Sequence, residues 1–212
     1  MREFSRFAIL GIIFFLIGVI FIETSYAGKK KMGDKICIVQ MGSIDERIML
    51  YAKVALEGIF NKKIDIFILT HDLEYAYHKR RKQYYSTKFL KKLRALELVD
   101  YGRVLGIIDV DLYVPELTFV FGEADLKNRV SIISLTRLRQ EFYNLPKDLT
   151  LFNQRVITEA VHELGHTYGL RHCGNDNCVL FFSKTLADTD KKGSDFCRNC
   201  KKMLQHKQQL GE

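Results

Sequence analysis

The sequence predicts an α/β domain built on a mixed, mostly parallel sheet, with one long helix toward its C-terminal end. Three observations carry this expectation. Short apolar runs alternate with segments of helical periodicity, the pattern of strands joined by covering helices. A composition of 47% hydrophobic and 27% charged residues with two prolines supplies a core and excludes a disordered or collagen-like chain. The last helical segment leads into short loops punctuated by cysteines, which marks a separate, locally stapled end.

The first 27 residues stand apart. Phe7 to Ile22 carry no charge, Arg2 and Arg6 precede them, and Glu23 closes the run. Ser25 and Ala27 occupy the small-residue positions that precede a signal cleavage site. A spanning helix needs roughly 20 apolar residues, about 17 at the least, and this run falls just short. Residues 1–27 are therefore expected to be a signal peptide or an N-terminal membrane anchor. Either would export residues 28–212, as a periplasmic, secreted or membrane-anchored domain outside the cytoplasm. The two arginines are balanced by Glu3 and Glu23, so the net charge of +8 belongs to the domain itself.

Lys29 to Lys31 form a solvated link. Ile36–Met41 (ICIVQM) reads as a buried strand. Ser43 and Glu46 match a capping box, and Ile48, Ala52, Ala55 and Ile59 follow at helical spacing, so Asp45–Phe60 is predicted to be a helix. Ile64–Leu69 is the second strand. Ser86–Val99, with Phe89, Leu90, Leu93 and Leu96 on one side, is the second helix, and Val104–Ile108 the third strand. Thr118–Phe121 and Val130–Leu135 read as two further strands joined through Gly122 and a polar segment, an antiparallel pair. Thr150–Tyr168 is the long helix.

That helix carries the chemistry. His162 and His166 are four residues apart, so at about 100° per residue they differ by only ~40° and share a face. Two imidazoles so placed can hold a zinc ion at about 2.0–2.1 Å. Glu163 lies beside them but rotated away from direct ligation, the position of a general base acting on zinc-activated water. On a continued helix His172 would lie ~9 Å further along the axis, out of reach of the same metal. Gly169 intervenes, and glycine adopts the left-handed conformation that ends helices and turns the chain back. The pattern HExxHxxGxxH thus assembles three ligands, a base and a turn, and implies metal-assisted peptide hydrolysis.

Cys173 and Cys178 enclose four residues, and Cys197 and Cys200 enclose two. Two short-spaced pairs suit a closed, tetrahedral structural zinc; a disulfide framework is the alternative for an exported domain. The expectation is two zinc ions per chain, one catalytic and one structural. Cys37 is left over as an inert core thiol.

Taken together, His162, Glu163, His166, Gly169, His172, Cys173, Cys178, Cys197 and Cys200 closely resemble the signature of the archaemetzincins, a branch of the metzincin zinc peptidases. Arg81–Ser86 and Asp109–Asp125 also resemble segments of that family. The resemblance implies a compact metzincin-like protease domain with a catalytic and a four-cysteine zinc. It also implies a strand above the active-site helix, here Phe119–Phe121, that pairs with extended substrate. Leu180 departs from the family, which has methionine in the turn beneath the zinc; the two have similar apolar volume. An export leader is a second departure.

The remaining features read as structural. His71, His78 and His206 lack ligand spacing, and Asp109 and Asp111 are turn formers after a strand. Lys79–Lys82 with Tyr84 and Tyr85 form a basic aromatic patch, but no nucleic-acid-binding fold accompanies it and no such partner is expected. The expected partner is a peptide or protein substrate, with the monomer the favoured state. The competing function is a catalytically quiet, zinc-bound peptide-binding module, which would have no need of Glu163.

Overall fold

Apolar runs become strands wherever helices can cover both of their faces. The computed structural model describes residues 33–70 and 72–211; the proposed leader, the Lys29–Lys31 link and His71 lie outside the described residues. The chain runs through β1 (Lys35–Met41), α1 (Glu46–Phe60), β2 (Ile64–Leu69), β3 (Tyr77–His78), β4 (Gln83–Tyr85) and α2 (Ser86–Arg94). It continues through β5 (Tyr101–Ile108), β6 (Leu112–Tyr113), β7 (Gly122–Asp125), β8 (Val130–Ser134), α3 (Leu149–Thr167), α4 (Leu186–Lys192) and α5 (Arg198–Leu210).

The main sheet has the order β2-β1-β5-β8-β7. β1 pairs in parallel with β2 and β5, β5 pairs in parallel with β8, and β7 closes the edge antiparallel to β8. The mixed, mostly parallel sheet is as the sequence predicts. A second sheet, β3-β4-β6, is small. One core layer joins Ile36, Ile38, Leu105, Ile107 and Ile133 to Met49, Leu56 and Phe60 of α1 and Val156, Ala160 and Leu164 of α3. On the other face Val39, Val104 and Ile132 pack with Phe89, Leu90 and Leu93 of α2.

Three boundaries differ from expectation. α1 is capped by Asp45, whose carboxylate accepts the Arg47 amide at 2.9 Å, and not by Ser43. The cap sits two residues later, and the fully buried stripe is Met49, Ala52, Leu56 and Phe60 rather than the expected one. α2 stops at Arg94 because the chain turns at Glu97, a left-handed residue. Thr118–Phe121 makes a lone bridge, Val120 to Leu112, and the edge strand is the polar segment after it. Polar residues can form that strand because an edge is solvated on one side.

Candidate metal centre

Asp148 starts α3 by accepting the Leu151 amide at 2.9 Å. The helix ends in a Schellman motif: the Gly169 amide donates to His166 O at 2.9 Å and the Leu170 amide to Gly165 O at 3.3 Å. Gly169 has φ +80°, the left-handed value the motif requires. The chain folds back and brings His172 to the helix. The ring centroids of His162, His166 and His172 lie 4.6, 4.8 and 5.3 Å apart in pairs, and one nitrogen of each falls within 4.8 Å of the other two.

The tautomers suit a metal. His162 Nδ1 lies 2.6 Å from Val179 O, and His166 Nδ1 lies 2.7 Å from Leu170 O. A carbonyl oxygen accepts only, so each Nδ1 carries the hydrogen and each Nε2 keeps its lone pair. Those two Nε2 atoms face each other at 3.0 Å. Two lone pairs that close repel unless a cation lies between them, and zinc–nitrogen bonds of about 2.0–2.1 Å set a comparable tetrahedral edge. Burial holds His162 well below its ordinary pKa, with the Lys192 charge adding to it, and lowers His166 and His172 as well. The three rings are neutral, as ligands must be.

Glu163 is buried beside them. Burial, with Glu159 and Glu123 nearby, raises its pKa well above the carboxylate range, against the pull of Lys192. Its room comes from Gly122: a Cβ there would stand 2.5 Å from Glu163 Cγ and 2.7 Å from Oε1. Next to Glu163 opens a cavity of about 260 Å³ lined by Leu117, Thr118, Phe119, Phe121, His162 and Phe182, among others. Its far wall is braced from the basic segment. Arg81 Nη2 donates to Leu117 O at 2.7 Å and Thr118 O at 3.0 Å, and Gln83 Nε2 donates to Thr118 O at 2.9 Å. The Arg137 guanidinium stacks on Phe119 and pairs with Asp111 at 2.5 and 2.8 Å, so Asp111 is structural, as is Asp109 beside Arg139.

The four cysteines also converge. Their sulfurs lie within 4.8 Å of one another, with Cys173 and Cys197 Sγ 4.0 Å apart, and all four are free thiols. A disulfide would need about 2.05 Å, whereas Zn–S bonds of about 2.3 Å give tetrahedral edges of roughly 3.8 Å. The Cys197 amide donates to Cys178 Sγ at 3.4 Å and the Asn175 amide to Cys173 Sγ at 3.5 Å. Cys197 caps α5, and the Cys200 amide pulls its thiol down to about 7. Burial pushes Cys37 up to about 12, as expected of an inert core thiol.

Some residues carry no signal in sequence. Lys192, in the hydrophilic stretch of α4, reads as a solvated surface residue, yet its side chain is 0% exposed and lies 3.2 Å from His162 Nδ1. Phe182, whose ring centroid is 4.9 Å from that of His172, and Gly122 were equally silent. Leu180 is fully buried against Gly165 on the helix. His78 and His206 are exposed and belong to neither cluster.

An α/β sheet with a histidine-bearing helix over it, closed by a glycine turn and a four-thiol cluster, defines a zinc metallopeptidase of metzincin type. A family model for peptidase family M54 matches residues 34–206, and the chain belongs to that family, the archaemetzincins. It is 41% identical over 176 residues to an archaemetzincin of Methanocaldococcus jannaschii, covering 81% of this chain and 93% of the relative. The crystal structure of the Methanopyrus kandleri archaemetzincin superposes with a TM-score of 0.73 at 35% identity, over 86% of this chain and 98% of that one. A zinc-dependent peptidase from Methanocorpusculum labreanum does so with 0.72 at 26% identity, over 80% and 99%. The chain is accordingly a zinc metallopeptidase, with peptides as its substrate class.

The expectation of an exported domain, periplasmic, secreted or membrane-anchored, is corrected by these matches. The relatives are archaeal archaemetzincins matched over nearly their whole length. Among the described residues no helix is long and apolar enough to cross a membrane. The leader reading rests on Arg2 and Arg6, an apolar run shorter than a span requires, and the small residues Ser25 and Ala27, all of which lie outside the described residues.

Proposed function

We propose that His162, His166 and His172 hold the catalytic zinc, that Glu163 is the general base, and that Cys173, Cys178, Cys197 and Cys200 hold a second, structural zinc. The observation that carries this reading is the pair of His Nε2 lone pairs facing each other at 3.0 Å, each ring locked through Nδ1 to a carbonyl. Zinc, when bound there, lowers the pKa of a water molecule to about 7 and polarises a carbonyl.

Everything else is the work of the chain. Glu163, which lines the cavity beside His162, takes the water's proton on its carboxylate and returns it to the leaving amine. Phe119–Phe121 and the rim held by Arg81 and Gln83 form the wall along which an extended peptide lies. Phe182 and Phe119 add apolar lining to that cavity. The four-thiol site begins at the residue after His172, so it fixes the turn that carries the third histidine. Both donor sets are complete within one chain, which favours a monomer as the active unit.

Metal analysis tests the assignment. The purified protein is expected to hold two zinc ions per chain, His172→Ala and Cys197→Ser each about one; one zinc with two disulfides in the wild type contradicts it.

A further inference from the structure

Behind the catalytic histidines lies an ion pair that the chemistry above does not use. Lys192 Nζ is 3.0 Å from Glu159 Oε1, with the two side chains 0% and 3% exposed. The same ammonium is 3.2 Å from His162 Nδ1 and 3.4 Å from Phe181 O. Glu159 also accepts the Thr189 hydroxyl at 2.9 Å. It lies three residues before His162 on α3, so it shares the face of the ligand helix.

α4 is built to deliver that lysine. Thr185 and Asp188 form a reciprocal capping box at its start, with contacts of 3.3 and 2.9 Å. Arg155 of α3 grips Asp190 through two contacts of 2.6 and 2.7 Å. The helix is thus fastened to α3 at Asp190, Thr189 and Lys192. A buried ion pair is a poor way to gain stability, because desolvation consumes most of the attraction and an apolar pair of equal volume does as well. What the ammonium provides is reach. It is within contact of the ligand helix, through Glu159, and of the turn that carries Val179 and Leu180, through Phe181 O. Val179 O is the acceptor that orients His162.

We propose that Lys192 is a positioning residue for the catalytic zinc: paired with Glu159, it locks the Val179–Phe182 turn against α3 and so holds His162 with Nε2 toward the metal. The proposal rests on His162 being a zinc ligand. It assigns to a buried cation part of the support that methionine gives the same turn in the family, where this chain has Leu180.

Zinc affinity by chelator competition, together with melting of the metal-free protein, tests it. Lys192→Met is expected to weaken one zinc by about 10–100-fold, the usual effect of losing a group that orients a ligand. It also lowers the melting temperature of the metal-free protein, since Glu159 loses its partner. The double variant Glu159→Gln with Lys192→Met removes both charges and keeps an acceptor for Thr189. It recovers the melting temperature but not the zinc affinity, and kcat falls with KM little changed. Lys192→Arg restores part of the affinity. Recovery of zinc affinity together with melting temperature in the double variant overturns the proposal, as does affinity within twofold of wild type in Lys192→Met. His162→Ala is the control: if it too leaves zinc affinity intact, the ligand assignment fails and not merely the role of Lys192.

Discussion

Gly122 decides how closely the edge of the sheet approaches the base. A methyl group there would overlap Glu163 and also stand 2.7 Å from Ile132 O, so Gly122→Ala must push the carboxylate away. A displacement of that kind costs on the order of 100-fold in kcat, with zinc content unchanged, which steady-state kinetics and metal analysis together would register. Thiol chemistry gives a second residue-scale prediction. Cys197, lowered to about 7, is thiolate above that pH and protonated below it, while Cys37, raised to about 12, stays protonated. In metal-free protein at pH 8, iodoacetamide followed by peptide mass analysis is expected to modify Cys197 first and leave Cys37 untouched. Leu180→Met restores the residue usual in the family at similar volume; it is expected to shift stability by less than about 1.5 kcal/mol and to retain zinc, as denaturant melts would measure.

Among the elements, α3 was legible almost residue by residue. Its histidine spacing, the glycine stop and the return of His172 are all local consequences of helix geometry, and the helix, the turn and the cluster of three histidines appear as anticipated. α1 was legible in extent but not in phase. The predicted cap at Ser43 obeys a good local rule, yet Asp45 wins because its carboxylate reaches both the Arg47 amide and the Arg47 guanidinium. The buried stripe follows that cap, with Leu56 at its centre. Leu56→Ala is expected to cost about 2–5 kcal/mol, read as a shift in urea midpoint without loss of the metal sites. The edge strand was misplaced by a few residues because apolar Thr118–Phe121 looks more like a strand than polar Gly122–Asp125. The apolar residues instead line the cavity beside Glu163, a tertiary demand that strand periodicity cannot express.

At the scale of the whole molecule, the parallel sheet was readable from the alternation of strands and helices, and both donor clusters from their spacing. The supporting structure was not. Arg81 stood out only as part of a basic patch and a family-like segment, and Arg137 not at all, yet they hold the cavity wall through backbone carbonyls and an aromatic ring. Lys192 and Glu159 meet in the interior across 33 residues of chain, a pairing no local pattern encodes. Polar residues that act by supporting others are the class that sequence reading loses, because burial alone distinguishes them from surface. The central claim is that Glu163 works as the base beside a three-histidine zinc. Digestion of a mixed peptide library by wild type and by Glu163→Gln, with zinc content measured on the same samples, tests it most directly. The geometry predicts equal zinc in both proteins and a loss of cleavage of at least 100-fold in the variant, in line with typical contributions of about 10²–10⁴ from general acid–base catalysis. Undiminished cleavage by Glu163→Gln would contradict it.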